Sequence, residues 1–127
     1  MQQVISNITL DTSGKANKNV IRAKQGDRSS RFIRATIVDG DEPVIFGEND
    51  TVQIDFLRID NIKRTFDGNI DGDGNVFFAI PSWCLELPYR VRGYIKLPSS
   101  NNDETENYTP PFFIEVGEAV VSSIENN

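Results

Sequence analysis

Period two governs this chain. Tyr89, Val91, Gly93, Ile95 and Leu97 alternate with Arg90, Arg92, Tyr94 and Lys96, which makes an extended segment with one apolar and one mostly cationic face. Val52, Ile54 and Phe56 alternate with Gln53, Asp55 and Leu57, and Ile33, Ala35 and Ile37 with Phe32, Arg34 and Thr36. Val76, Phe78 and Ile80 alternate with Phe77 and Ala79, and Phe112, Ile114 and Val116 with Phe113 and Glu115. Weaker strands are expected at 4–10, 19–24 and 62–66. Turn chemistry separates the runs at Gln25-Gly26-Asp27, Asp39-Gly40-Asp41, Phe46-Gly47-Glu48-Asn49-Asp50, Asp67-Gly68-Asn69 and Asp71-Gly72-Asp73-Gly74-Asn75. Glycine takes φ > 0 without steric cost, and Asp and Asn bond their own backbone. Many short strands with turns at short spacing indicate an all-β sandwich or barrel.

One segment breaks the pattern. Pro81 suits a first helical position, the residues to Leu87 tolerate a helix, and Pro88 stops it. The sequence therefore predicts one short helical turn near residues 81–87. The polar, acidic stretch 99–107 reads as a loop. A single β-sandwich domain is expected over 1–117, with 118–127 as a partly ordered tail. At 127 residues, one domain can bury a sufficient core without staples.

The chain contains one cysteine and no histidine. An intramolecular disulfide is impossible, Ser-His-Asp and Cys-His catalysis are excluded, and so is every histidine-bearing metal site. Cys84, between Trp83 and Leu85, reads as a small buried hydrophobe. No apolar run approaches the ~20 residues of a membrane span, and the first residues lack the features of a signal peptide. A soluble protein is expected. The net charge of −6 disfavours nucleic acid as a partner.

The charge is segregated. Lys15, Lys18, Arg22, Lys24, Arg28, Arg31 and Arg34 stand in one block against Asp27 alone; Asp39, Asp41, Glu42, Glu48, Asp50, Asp55 and Asp60 stand in the next against Arg58 alone. Such blocks form solvated faces, or they make copies complementary in an assembly. The acidic turns permit two readings. Asp67-Gly68-Asn69-Ile70-Asp71-Gly72 begins like an EF-hand loop, but Phe78 occupies the position of the bidentate Glu and the flanks read as strands, so an EF-hand is excluded. A looser oxygen site from Asp67, Asn69, Asp71, Asp73 and Asn75 stands beside the plainer reading, a hairpin turn. No pair of carboxylates is singled out for acid–base work, and no enzyme activity or cofactor is expected.

Ile21-Arg22-Ala23-Lys24-Gln25-Gly26-Asp27, followed by Ser30-Arg31, resembles the opening of the immunoglobulin-like N-terminal domain of phage baseplate upper proteins. Asp73-Gly74-Asn75-Val76, Ile80-Pro81, Gly93-Tyr94-Ile95-Lys96-Leu97 and Phe112-Phe113-Ile114-Glu115-Val116 continue the resemblance in order, over 19–117. It implies an immunoglobulin-like antiparallel β-sandwich in a virion tail, made in the bacterial cytoplasm and acting without catalysis. The implied partners are the baseplate hub and receptor-binding proteins, with a homo-oligomer possible in the assembled baseplate and no nucleic acid or membrane.

The candidate interface comes from the residues themselves. On an antiparallel sheet facing water, the face opposite the core should be polar. Phe32, Phe77 and Phe113 instead place phenylalanine there, and Tyr94 is the matching aromatic on its strand. In an immunoglobulin-like order Phe32 and Phe77 share one sheet, and Tyr94 and Phe113 the other. Phe32 and Phe77, rimmed by Arg34, are the expected docking spot. Trp83 is expected in the core. An alternative is a carbohydrate-binding or adhesin-type sandwich, for which Trp83, Tyr89, Tyr94 and Tyr108 are the available rings.

Overall fold

The computed structural model describes residues 3–13, 19–26, 30–44, 46–47, 50–97 and 107–118. Within them lie ten strands and one short helix. The strands are β1 (Gln3–Asp11), β2 (Asn19–Lys24), β3 (Ser30–Asp39), β4 (Glu42–Pro43), β5 (Val52–Leu57), β6 (Lys63–Ile70), β7 (Val76–Ala79), β8 (Tyr89–Leu97), β9 (Asn107–Tyr108) and β10 (Phe112–Gly117). A 3-10 turn at Ser82–Leu85 sits inside the expected 81–87 segment and buries Trp83, Cys84 and Leu85. The expected loop at 99–107 and the tail from 119 fall outside the described residues, apart from Asn107, which belongs to β9.

The fold is all-β, as the periodicity requires. Hydrogen-bonded neighbours run β1-β3-β7-β6-β5-β8-β10-β2, with β4 added to β3 and β9 to β8. β6 pairs with β7 in one sheet and with β5 in the other, so it joins the two layers along one side. Along the opposite side the Asn19 Nδ2 donates to the Thr9 carbonyl at 2.7 Å, which brings β1 and β2 together. The result lies between a sandwich and a closed barrel. The apolar faces of β3, β5, β7, β8 and β10 meet in one core in which Ile33, Ile54, Phe56, Val76, Ile95, Phe112 and Ile114 are fully buried.

The first departure from expectation is a pair of parallel ladders. β1 pairs in parallel with β3, and β2 in parallel with β10. The chain passes from β1 in one layer to β2 in the other and returns to β3. Neither of these first two strands pairs with its neighbour in sequence.

A second departure concerns Asp67-Gly68-Asn69. Its composition reads as a turn, yet β6 runs straight through it. Gly68 lies opposite Val52, and a Cβ there would meet Ile54 Cδ1 at 2.7 Å and Val52 Cγ2 at 3.1 Å. The glycine makes room for the core and does not reverse the chain. The true turn follows at 71–75, where Gly74 has φ 82° and the Asp71 N–H donates to the Asn75 carbonyl. A third departure is Tyr89. The alternation assigns it to the core face of β8, but its φ is 81° and the residue is 61% exposed.

Candidate protein-interaction site

Register brings the two outward phenylalanines together. β3 pairs with β7 so that Arg34 lies opposite Phe77, which makes Phe32 the diagonal neighbour of Phe77 on the outer face. The rings stack with centroids 5.2 Å apart and planes 9° from parallel. Arg34 lies over the Phe77 ring, its guanidinium carbon 5.5 Å from the centroid, a cation–π arrangement. Its Nε donates to Asp71 Oδ2 at 3.2 Å and its Nη1 to Asn7 Oδ1 at 3.4 Å. Both rings are half-buried. Phe32, Arg34 and Phe77 therefore form one continuous spot, braced from the turn after β6.

Asp71 serves that brace. Its Oδ1 accepts the Asp73 and Asn75 amides at 2.9 and 3.0 Å. Burial opposes its ionisation, but the Asn75 and Asp73 amides and the Arg34 guanidinium outweigh it and hold the carboxyl below the usual range. Asp67 and Asn69 are exposed on the β6 strand. Among the described residues no group of three or more Asp, Glu or Cys side chains is placed to hold a metal ion.

The outer face of the other sheet carries the expected Tyr94 and Phe113, but each finds its own partner. The guanidinium carbons of Arg90 and Arg92 lie 4.8 and 5.8 Å from the Phe113 centroid. Arg90 also donates from Nε to Glu115 Oε1 at 3.1 Å. Tyr94 meets Tyr108 edge to face, centroids 6.3 Å apart. Below them Asp55 is buried. It accepts from Thr65 Oγ1 at 2.6 Å and from the Tyr108 hydroxyl at 3.1 Å, with Lys63 Nζ at 3.6 Å. A shallow cleft of about 460 Å³ opens there, lined by Asp55, Leu57, Lys63, Tyr94, Tyr108 and Thr109. Asp55 thus leaves the solvated acidic face to which its charge block assigned it.

Trp83 is in the core, 6% exposed. Arg58 and Arg64 cover its ring, with guanidinium carbons 4.5 and 5.2 Å from the centroid, and Phe66 packs at 6.1 Å. Arg58 donates to the Trp83 carbonyl at 3.0 Å, to Glu86 Oε1 at 2.9 Å and to both oxygens of Asp60 at 2.7 and 3.1 Å. The hydrogen bonds from Arg58 pull the Asp60 carboxyl down against the opposing effect of desolvation. Burial pushes the Cys84 thiol up to about 12, so it is protonated at neutral pH and inert as a nucleophile.

Searches against family models and curated sequences return no match. Among solved structures, the N-terminal domain of phage TP901-1 ORF48 superposes with a TM-score of 0.67, covering 90% of this chain and 98% of that one at 20% identity. The two domains share one fold. The likeness spans both domains almost end to end.

Sequence reasoning found the Phe32–Arg34–Phe77 spot because phenylalanine on a supposedly wet face breaks the period-two rule. It missed the Arg58–Asp60–Glu86–Trp83 cluster and the Asp55–Thr65–Tyr108 cluster. Their members are ordinary charged and polar residues, and only register makes them neighbours. Asp60 and Asp71 are both held below the usual carboxylate range, the first by the Arg58 hydrogen bond and the second, against burial, by the Asn75 and Asp73 amides and Arg34. A depressed folded-state pKa gives stability that is present above the unfolded value and lost as pH falls through the folded one. The urea midpoint should therefore be flat above about pH 5 and fall below about pH 4. Asp71→Asn should start lower at neutral pH and lose less on acidification. An acid limb identical to wild type would remove Asp71 from this account.

Proposed function

We propose that this chain is a structural module of a phage tail baseplate, working by protein–protein contact and without catalysis. The observation that carries the reading is the near-complete, two-way coverage of the fold by the N-terminal domain of a phage protein. The motif resemblance over 19–117 supports it independently. So does the chemistry on hand: no histidine, one buried cysteine, and Asp55, Asp60 and Asp71 each held by hydroxyls, an arginine or backbone amides. Among the described residues no helix is long and apolar enough to cross a membrane.

In this reading Phe32, Phe77 and Arg34 dock the module on the baseplate hub or on a second copy of itself. Stacked rings beside an arginine are the composition of an interface anchor. The double variant Phe32→Ser, Phe77→Ser tests it. Because both rings point away from the core, the variant is expected to keep its fold by circular dichroism and to lose capture by the hub protein. A folded variant that is captured as well as wild type overturns the docking assignment.

The carbohydrate-binding alternative has less to work with. Trp83 is buried, and Tyr94 and Tyr108 meet edge to face where a sugar platform wants open ring faces. A glycan array with specific, saturable binding would reverse this preference.

A further inference from the structure

Asp55 is an acid out of place. It stands in β5 opposite Thr65 of β6 on one side and Tyr94 of β8 on the other, and it is only 7% exposed. A buried carboxylate is expected to fill its acceptor sites, of which it has about four. Here Oδ1 takes the Thr65 hydroxyl at 2.6 Å and Oδ2 the Tyr108 hydroxyl at 3.1 Å. The third contact, Lys63 Nζ at 3.6 Å from Oδ2, is too long for a hydrogen bond. Tyr108 and Lys63 both line the cleft of about 460 Å³, and Thr65 does not. Oδ2 is therefore the oxygen turned towards the cleft, and it keeps acceptor capacity there. The walls above it are apolar and aromatic, from Leu57 and the rings of Tyr94 and Tyr108. A carboxylate beneath aromatic walls selects a cation, since the ring faces attract the same charge. The chain supplies its own stand-in: the Lys63 side chain is 62% exposed, yet its ammonium is drawn to this oxygen. The neighbouring cations are occupied elsewhere. Arg92 lies over Phe113 and donates to the Tyr94 hydroxyl at 3.4 Å, and Lys96, opposite Tyr108, has its own partner. The sequence between β8 and β9 holds Asp103, Glu104 and Glu106 and no Lys or Arg, so it brings no competing cation.

We propose that this cleft binds a primary ammonium carried on an apolar stem, the chemistry shared by a lysine side chain and a free alkylamine. The nitrogen sits on Asp55 Oδ2 in place of Lys63, and the stem lies between Leu57 and the tyrosine rings. Long amphipathic chains bury their stems in this way with the charge at the end. An ammonium suits the site better than a guanidinium. Thr65 already holds Oδ1, so a fork reaching both oxygens has only one to reach, whereas a point charge needs no more than one. The cleft lies on the other sheet from Phe32 and Phe77, and the proposal stands whether or not that spot docks a partner.

The test is a titration with butylammonium chloride followed by NMR, with sodium chloride at equal ionic strength as the control. The ring signals of Tyr94 and Tyr108 and the Asp55 amide should shift saturably. Asp55→Asn keeps an oxygen for Thr65 and should lose the shifts. Lys63→Ala removes the resident cation and should tighten binding several-fold. That side chain is exposed, so this variant should fold and decides the matter even if Asp55→Asn does not fold. Ethylguanidinium should bind more weakly than butylammonium. A lysine flanked by glycines in a short peptide separates the two sources. Binding as tight as butylammonium upholds the proposal with a protein side chain as ligand, and exclusion of the peptide upholds it with a free amine. The absence of any saturable shift beyond sodium chloride overturns the proposal. Weaker binding in Lys63→Ala overturns it too, because Lys63 would then be the recognising group. Methyl glucoside moving the same signals would replace the ammonium with a polyol.

Discussion

Gly93→Ala is expected to lower the melting temperature by roughly 10 °C, corresponding to about 3 kcal/mol at the upper end of overpacking effects. Gly93 sits in the middle of β8, opposite Phe56 on one side and Phe112 on the other. The Phe112 ring leans across it to meet Phe56 edge-on, centroids 6.0 Å apart and planes 89° from parallel. A Cβ on residue 93 would lie 2.7 Å from both Cε atoms of that ring. The ring has no retreat, since Phe78 packs against it at 6.0 Å and Phe112 has no exposed surface. Gly93→Ala, Phe112→Leu should recover part of the loss by removing the ring edge that collides. If Gly93→Ala melts with wild type, the ring does not lie over the glycine.

Trp83→Ala should cost roughly 3–5 kcal/mol, measured by denaturant unfolding. The indole is 6% exposed and holds the 3-10 turn against Phe66 and beneath Arg58 and Arg64. Its loss leaves a cavity and two guanidinium groups without the ring they cover. Trp83→Phe should cost distinctly less, because a ring remains under Arg58. Equal stability in wild type and Trp83→Ala would mean that the indole is not part of the core, and it would return Trp83 to the carbohydrate-binding reading.

Which face of each strand turns inward was legible, because alternation encodes facing directly. Ile33, Ile54, Phe78, Ile95 and Ile114 are all buried, on the sides their spacing assigned. Which strand lies beside which was not legible at the ends of the sheet. Alternation is the same whether β2 pairs with β1, β3 or β10, so a parallel pairing across the whole chain leaves no local mark. Gly68 shows the limit of turn composition. Asp-Gly-Asn has the residues of a turn, and only the nearness of Ile54 and Val52 reveals that the glycine answers to packing. The Phe32–Phe77 spot was legible as an anomaly on each strand separately, and its stacking follows from the β3–β7 register. The Asp55 cluster had no such anomaly. Its three members are separated by 10 and 53 positions, and a single acid in a strand of alternating residues is unremarkable on its own.

The pairing of β2 with β10 has a consequence for synthesis. Residues 19–24 leave the ribosome well before the strand that hydrogen-bonds them, which ends at Gly117. Until that strand is made, β2 carries an open edge and its inward residues Ile21 and Ala23 have no finished core to enter. Such long-range pairings are slow to form and leave strand edges open to other chains meanwhile. β2, made well ahead of its partner strand, is thus among the last strands to be locked. Arg22 and Lys24 on its outer side supply the charge that keeps a waiting edge from pairing with a neighbouring nascent chain.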